Sequence, residues 1–161
     1  MPKLDLSQIA VETGTSYPGK LARTVDGRSF QALGDAGGLT QYGVNLVTLA
    51  PGAISSLRHY QMRQDEFAMV TNGELVLIEN DGETTMRAGD YAAWPAGVVN
   101  GHQLVNRSDA PATFLVIGTR TSTETVFYSD IDMMVTVNET SDHFTKQDGS
   151  PLTADQIGVE K

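Results

Sequence analysis

The sequence predicts an all-β protein whose short antiparallel strands close into a sandwich or a barrel. Short runs of β-branched and aromatic residues recur at even spacing along the chain, and turns that contain glycine and asparagine separate them. No convincing long helical pattern interrupts these runs. Many short strands with regular turns are typical of antiparallel sandwiches and barrels, because closure removes exposed sheet edges.

The predicted strands span, in chain order, residues 43–49, 66–70, 74–79, 83–87, 90–94, 102–106, 113–119 and 125–128. Pro51-Gly52 ends the first of them, whereas Asn72-Gly73 and Asp81-Gly82 each separate two neighbouring runs. An Asn-Gly or Asp-Gly pair between apolar runs is the strongest local signal for a hairpin, since both central residues of the tight turn need positive φ. We therefore expect a hairpin at each of these two pairs.

A chain of 161 residues fits one domain, because a second core within this length would be marginal. We expect a single domain over residues 1–161, with a barrel core at about residues 28–137. Residues 1 to about 27 and about 138 to 161 are less patterned, so we expect them to form arms that pack on the barrel or on a partner subunit.

Composition excludes several classes of function. The chain has no cysteine, so any metal must be held by nitrogen and oxygen. The formal net charge of −9 has the wrong sign for binding nucleic acid or an anionic membrane. No apolar run approaches the roughly 20 residues of a membrane helix, and the chain start lacks a secretory signal pattern. We expect a cytoplasmic protein with a small-molecule ligand.

Ligand-type side chains are concentrated in one segment of the chain. Gly52 is followed by six residues and then by His59-x-Gln61; four residues lead to Glu66, and six more lead to Gly73. On a strand, His59 and Gln61 point to the same face because side chains alternate between faces. Glu66 begins the next run and can face the same cavity.

A second segment carries a related pattern. Gly89 is followed by five residues and then by Pro95-x-Gly97; four residues lead to His102, and three more lead to Asn106. His102 opens a later predicted strand, which a barrel would bring alongside the first segment.

The two segments together resemble the paired motifs of the cupin superfamily, and they span about a third of the chain. The resemblance implies a jelly roll, or double-stranded β-helix, of the small bacterial type, with a metal ion among inward-facing side chains. It also implies a homodimer, for which the terminal arms offer strands to exchange.

Residue types and resemblance together predict one divalent metal ion, Zn, Fe, Mn or Ni, on His59, Glu66 and His102, with Gln61 beside them. Two imidazoles and one carboxylate form a facial triad that leaves positions open for water or substrate. Gln61 stands where the family usually has a second histidine, and its amide oxygen is a weaker donor than imidazole. The loop before His102 is two residues longer than in the family's second motif, which would allow this histidine to move out of reach.

Three functions stay open. The first is a metal-dependent enzyme acting on a small polar metabolite, for which the resemblance implies isomerase, lyase or dioxygenase chemistry. The second is a non-enzymatic small-molecule sensor, and the third is a metal-free structural barrel whose histidines are hydrogen-bonded interior groups. A cavity that reaches the histidines would distinguish the first two from the third. No phosphate-loop or dinucleotide fingerprint is present, and no catalytic residue is assigned.

Other polar residues carry weaker expectations. Arg58 would either bind an anionic group of a substrate or form an ion pair with Asp65. Asp65 would be solvated or paired with Arg58 or Arg63, and His143 would lie on the surface. We expect positive φ at four turn glycines: Gly52, Gly73, Gly89 and Gly97.

Overall fold

Antiparallel strands form most of the computed structural model, which describes residues 3–158. The strands are β1 (Glu12–Thr13), β2 (Arg28–Ala32), β3 (Tyr42–Leu49), β4 (His59–Gln61), β5 (Glu66–Asn72), β6 (Glu74–Glu79), β7 (Gly82–Arg87), β8 (Tyr91–Trp94), β9 (Gln103–Val105), β10 (Ala112–Thr119), β11 (Thr123–Tyr128), β12 (Met133–Asn138) and β13 (Asp142–Thr145). The helices are short: 3-10 helices at Leu6–Gln8 and Gly19–Val25, α1 (Leu33–Ala36) and α2 (Ala154–Ile157).

The strands form a six-stranded sheet in the order β1-β2-β3-β10-β5-β8, a four-stranded sheet β13-β12-β11-β4 and a three-stranded sheet β7-β6-β9. An isolated bridge between His59 and His102 links the four-stranded sheet to the segment that leads into β9. Five of the ten pairs of neighbouring strands join strands that are not consecutive in the chain, as in a jelly roll. The predicted all-β jelly-roll class is confirmed.

The predicted strands agree with the observed ones to within about two residues at most ends. The predicted ranges did not include β1, β2, β4, β12 and β13, although His59 and Gln61 of β4 were expected to share one face of a strand. All four turn glycines have positive φ, at +81° for Gly52, +79° for Gly73, +97° for Gly89 and +77° for Gly97.

The expected hairpin at Asn72-Gly73 is wrong. β5 pairs with β8 and β10, whereas β6 pairs with β7 and β9, so the chain leaves one sheet and enters another at this point. A Cβ at Gly73 would lie 2.9 Å from the Cβ of Ala112. Gly73 therefore serves a tight crossing between sheets, where both a positive φ and the absence of a side chain are required.

The hairpin at Asp81-Gly82 is confirmed, although its turn differs from the expected type. β6 and β7 pair with Glu79 opposite Gly82. Gly82 has a φ of +125°, and no residue other than glycine has positive φ in the described chain. Asn80 and Asp81 therefore do not adopt the two positive φ values of the tight turn that the sequence indicated.

The main hydrophobic core lies between the six-stranded and three-stranded sheets. Its fully buried members include Leu49, Val70 and Leu75. A second cluster forms around Tyr128 and Met133 of the four-stranded sheet. Side chains of both terminal segments pack on that cluster: Tyr17, Leu21, Phe144 and Leu152.

The terminal segments also contact one another, because the Lys20 Nζ donates to the Asp155 carbonyl oxygen at 2.6 Å. The ends of the expected arms, residues 1–2 and 159–161, lie outside the described residues. Within residues 3–158, no helix combines the length and the apolar character that crossing a bilayer requires.

Candidate metal centre

Three side chains from separate parts of the sequence meet inside the barrel. His59 begins β4, Glu66 begins β5, and His102 directly precedes β9. One ligand atom from each residue lies within 4.8 Å of those of the other two. Paired backbone hydrogen bonds hold the two histidines together: His102 N donates to His59 O at 2.9 Å, and His59 N donates to His102 O at 3.2 Å.

The lengthened loop before His102 does not carry the histidine away. Asn80 Nδ2 donates to the Val99 carbonyl oxygen at 3.0 Å, and Asn100 Nδ2 donates to Glu79 Oε1 at 2.8 Å. These side-chain contacts fold the extra residues back against the end of β6. The Nε2 atom of His102 lies 3.6 Å from the Oε2 atom of Glu66.

The His59 ring is oriented by the backbone of its own segment. Its Nδ1 atom lies 2.9 Å from the Leu57 carbonyl oxygen and 3.2 Å from Ser56 Oγ. Since a carbonyl oxygen only accepts, the hydrogen of the neutral ring belongs on Nδ1 and the lone pair on Nε2. A backbone carbonyl on the far ring nitrogen is the usual support of a metal-binding histidine.

His102 is held differently. Its ring stacks on the Trp94 indole, with centroids 3.9 Å apart and planes inclined by 10°. Only 4 % of the residue is exposed, yet neither ring nitrogen has a hydrogen-bond partner within the described chain. Buried polar atoms normally have partners, so an unpaired imidazole suits a ligand that the chain itself does not provide.

Gln61 lies beside Glu66 on the adjacent strand. Its Nε2 donates to Glu66 Oε2 at 3.1 Å, whereas its buried Oε1 has no hydrogen-bond partner among the described residues. The amide thus orients the carboxylate. A direct role of Gln61 as a metal ligand stays a prediction.

Burial and neighbouring charges set the protonation of the site. Burial lowers the pKa of His59 below its usual value, and this effect outweighs the opposing charge of the nearby Glu66. Burial would raise the pKa of Glu66, but the contact with His102 and the charges of both histidines lower it, and the result lies below the usual value. A neutral imidazole and an ionised carboxylate are the states that bind metals.

These donors fit one divalent transition metal ion. Two imidazole nitrogens and a carboxylate oxygen suit Zn, Fe, Mn or Ni, and cysteine is absent from the chain. The three residues also line a cavity of about 340 Å³, which is within the range of small-molecule sites. The other polar residues on its wall are Thr15, Ser16, Tyr17, Arg28, Asn45, Ser55 and Ser56.

Comparisons with known proteins agree with this fold and site. The family model described as "Cupin domain" matches residues 45–118. A solved structure from Silicibacter pomeroyi, described as a sugar phosphate isomerase from a cupin superfamily, is 65% identical to this chain, with a TM-score of 0.96 over 98% of this chain and 100% of the other. The chain belongs to the cupin superfamily.

More distant solved structures share the fold alone. A candidate sugar phosphate isomerase from Acidithiobacillus ferrooxidans is 22% identical, with a TM-score of 0.78 over 94% of this chain and 96% of the other. A polyketide cyclase from Streptomyces resistomycificus is 16% identical, with a TM-score of 0.61 over 74% and 79% of the two chains. The comparison with curated proteins gives no match.

The structure corrects the interpretation of Arg58 in this cupin. Its guanidinium forms an ion pair with Asp130 at 2.6 Å and donates to Asn80 Oδ1 at 2.8 Å. Arg58 therefore neither pairs with Asp65 nor lines the cavity.

Asp65 pairs with neither Arg58 nor Arg63, the two arginines that the sequence suggested as partners. Its Oδ1 atom accepts a hydrogen bond from Ala96 N at 2.8 Å. His143 is exposed on β13, as expected.

Sequence reasoning missed two polar residues around the cupin cavity. Trp94 also lines this cavity, where it is buried and supports His102. Arg28 and Tyr17 carried no motif, because they reach the site from β2 and the N-terminal segment. Arg28 contacts Ser55, 27 positions away, and Tyr17 contacts Leu57, 40 positions away. No local sequence pattern reveals contacts at these separations.

Proposed function

We propose that this cupin binds one divalent metal ion, Zn, Fe, Mn or Ni, through His59, Glu66 and His102, and isomerises a small phosphorylated sugar. The observation that carries the proposal is that three ligand atoms within 4.8 Å of one another lie on the wall of a cavity of about 340 Å³. The relative from Silicibacter pomeroyi, described as a sugar phosphate isomerase, supports this substrate class over lyase or dioxygenase chemistry.

A metal at this position would polarise adjacent oxygens of the sugar, which makes the hydrogen on the neighbouring carbon more acidic. The chain's contribution is to hold the ligands rigidly. Leu57 fixes the His59 ring, Trp94 supports His102, and Gln61 orients the Glu66 carboxylate. Such support keeps the ligand geometry constant while the substrate enters and leaves.

A sugar isomerase also needs polar groups outside the ligand set that orient the substrate. Among the described residues that line the cavity, Tyr17 offers such a group. Burial raises the pKa of Tyr17 above its usual value, so its hydroxyl remains protonated at neutral pH. We assign Tyr17 the role of hydrogen-bond donor to a sugar oxygen.

Elemental analysis of tag-free protein tests the metal site. Wild type, His102→Ala and the matched control His143→Ala would be purified without added metal or chelator. We expect close to one equivalent of metal per chain in wild type and in His143→Ala, and loss of the metal in His102→Ala. Metal retained by His102→Ala, or no metal in wild type after reconstitution, would contradict the site.

The isomerase activity has its own test. Metal-loaded protein would be incubated with aldose and ketose phosphates in D₂O, and NMR would detect interconversion and deuterium uptake at the carbon next to the carbonyl. Turnover that depends on His102 is the expected result.

Stoichiometric metal and sugar phosphate binding without any turnover would favour the second candidate, a non-enzymatic sensor. The open cavity favours both of these functions over a metal-free structural barrel, in which side chains would fill the space.

A further inference from the structure

We infer that Arg28, together with the hydroxyls of Thr15 and Ser16, forms an anion subsite that binds the phosphate group of the substrate. These residues line the same cavity as His59, Glu66 and His102. The inference rests on the proposed function, because it assigns a position to the phosphate of that substrate. It concerns residues outside the ligand set and outside both sequence motifs.

The guanidinium of Arg28 is positioned but not neutralised. Its Nη1 donates to the Ser55 carbonyl oxygen at 2.6 Å, and its Nη2 donates to the Gly14 carbonyl oxygen at 2.7 Å. An arginine has five N–H donors, so donors remain free, and the buried Nε has no partner in the described chain. Both acceptors are uncharged, so the positive charge is not balanced by either contact.

Arg28 differs in this respect from the arginines that pair with carboxylates elsewhere in the described chain, which are Arg58, Arg87, Arg107 and Arg120. Removing a cation from water without a counterion is costly, and burial accordingly lowers the pKa of Arg28. An anion in the cavity would offset that cost. The chain's net charge of −9 repels anions overall, so recognition of a phosphate needs a local cation of this kind.

The N-terminal segment completes the subsite. Arg28 holds the Gly14 carbonyl, and the Tyr17 hydroxyl accepts from Leu57 N at 3.2 Å. The segment between these two contacts carries Thr15 and Ser16 on the cavity wall. Hydroxyl groups beside a guanidinium are common phosphate ligands, because they donate to oxygens that the guanidinium does not reach.

A short hydrogen-bonded path connects the subsite to the metal centre. Arg28 donates to the Ser55 carbonyl; the Oγ atoms of Ser55 and Ser56 lie 3.3 Å apart, and Ser56 Oγ lies 3.2 Å from Nδ1 of His59. Residues 55–59 therefore link the cation to a metal ligand within one short segment. A substrate that spans both would have its phosphate and its reacting carbons at different ends of the molecule.

Isothermal titration calorimetry on metal-loaded protein tests the subsite. The probes are inorganic phosphate, ribose 5-phosphate, glucose 6-phosphate and the two unphosphorylated sugars. In Arg28→Gln we expect the Kd for the phosphorylated probes to rise about 10- to 100-fold, the effect of losing hydrogen bonds to a charged group. Arg23→Gln is the matched control, because it removes the same charge from an exposed side chain outside the cavity.

Arg28→Gln also removes the contacts to Gly14 and Ser55, which can loosen the N-terminal segment. Ser16→Ala leaves these contacts intact, and we expect it to raise the same Kd values about 3- to 10-fold. Metal content and circular dichroism would verify the fold of each variant. Unchanged Kd values in both variants, or no binding of any phosphorylated probe by wild type, would overturn the subsite.

The subsite and the proposed function fail in different ways. Binding of phosphorylated probes that depends on Arg28, without turnover of any sugar phosphate, would overturn the isomerase and support the subsite. Turnover of a sugar phosphate with the same KM in wild type and Arg28→Gln would support the isomerase and overturn the subsite.

Discussion

The indole of Trp94 lies flat against the imidazole of His102, with ring centroids 3.9 Å apart and planes inclined by 10°. The indole Nε1 donates to Glu79 Oε1 at 2.9 Å, and this hydrogen bond holds the indole in position against the imidazole. Most metal-binding histidines are oriented by a hydrogen bond from the second ring nitrogen. The His102 ring has no such hydrogen bond within the described chain, and stacking on Trp94 orients it instead.

Because Trp94 is the single tryptophan of the chain, its fluorescence reports on the metal site. A cation bound to His102 changes the electric field at the stacked indole, so we expect the emission to change on titration of metal-free protein with Ni²⁺ or Zn²⁺. His143→Ala should give the wild-type response, whereas His102→Ala should give none. An equal response in both variants would show that the metal binds elsewhere.

Replacing Gln61 tests whether that position belongs to the ligand set. Gln61→His restores the residue that cupins usually carry there, and imidazole is a stronger donor than an amide oxygen. We expect tighter metal retention in a competition with a chelator. Weaker retention would mean that Gln61 acts only through its hydrogen bond to Glu66 at 3.1 Å.

Asn106 of the second motif is predicted to act on stability. Its side chain is fully buried, donates to the carbonyls of Leu49 and Ala110 at 2.8 Å each, and accepts from Ser108. Asn106→Ala removes these hydrogen bonds from a fully buried position, so we expect a loss of about 2–4 kcal/mol in the free energy of unfolding, measured with urea. Asn72→Ala, at an exposed position, should cost less than about 0.5 kcal/mol.

The sequence was sufficient for eight of the strands and for the three ligand-type residues, because each of the two motifs has a fixed internal spacing. The alternation of side chains along a strand and the fixed intervals between glycines and histidines are local features of the sequence. They can therefore be recognised without knowing which strands pair. The crossing at Gly73 was not predictable, since Asn-Gly marks a turn without stating which strands pair on either side of it. Arg28 was missed for the same reason: its contacts come from distant segments and leave no local pattern.

The homodimer stays a prediction. The resemblance to small cupins implies it, and the terminal segments were expected to take part. Light scattering should give twice the 17.3 kDa mass of one chain. A mass equal to that of one chain over the concentration range of the assays would contradict the homodimer.

Gly73 and Gly52 separate two reasons for needing glycine. Both have positive φ, at +79° and +81°, so alanine costs about 1–2 kcal/mol of backbone strain at either position. At Gly52 an added Cβ meets nothing within 4 Å, whereas at Gly73 it would lie 2.9 Å from the Ala112 Cβ and 3.1 Å from the Ala112 Cα.

Since Ala112 is completely buried, it has little room to move, and crowding in a packed core costs about 1–3 kcal/mol. Urea unfolding should therefore show Gly73→Ala to be less stable than Gly52→Ala by about that amount. Equal losses in the two variants would mean that the crossing between sheets relaxes to admit a methyl group, and that positive φ alone selects glycine at position 73.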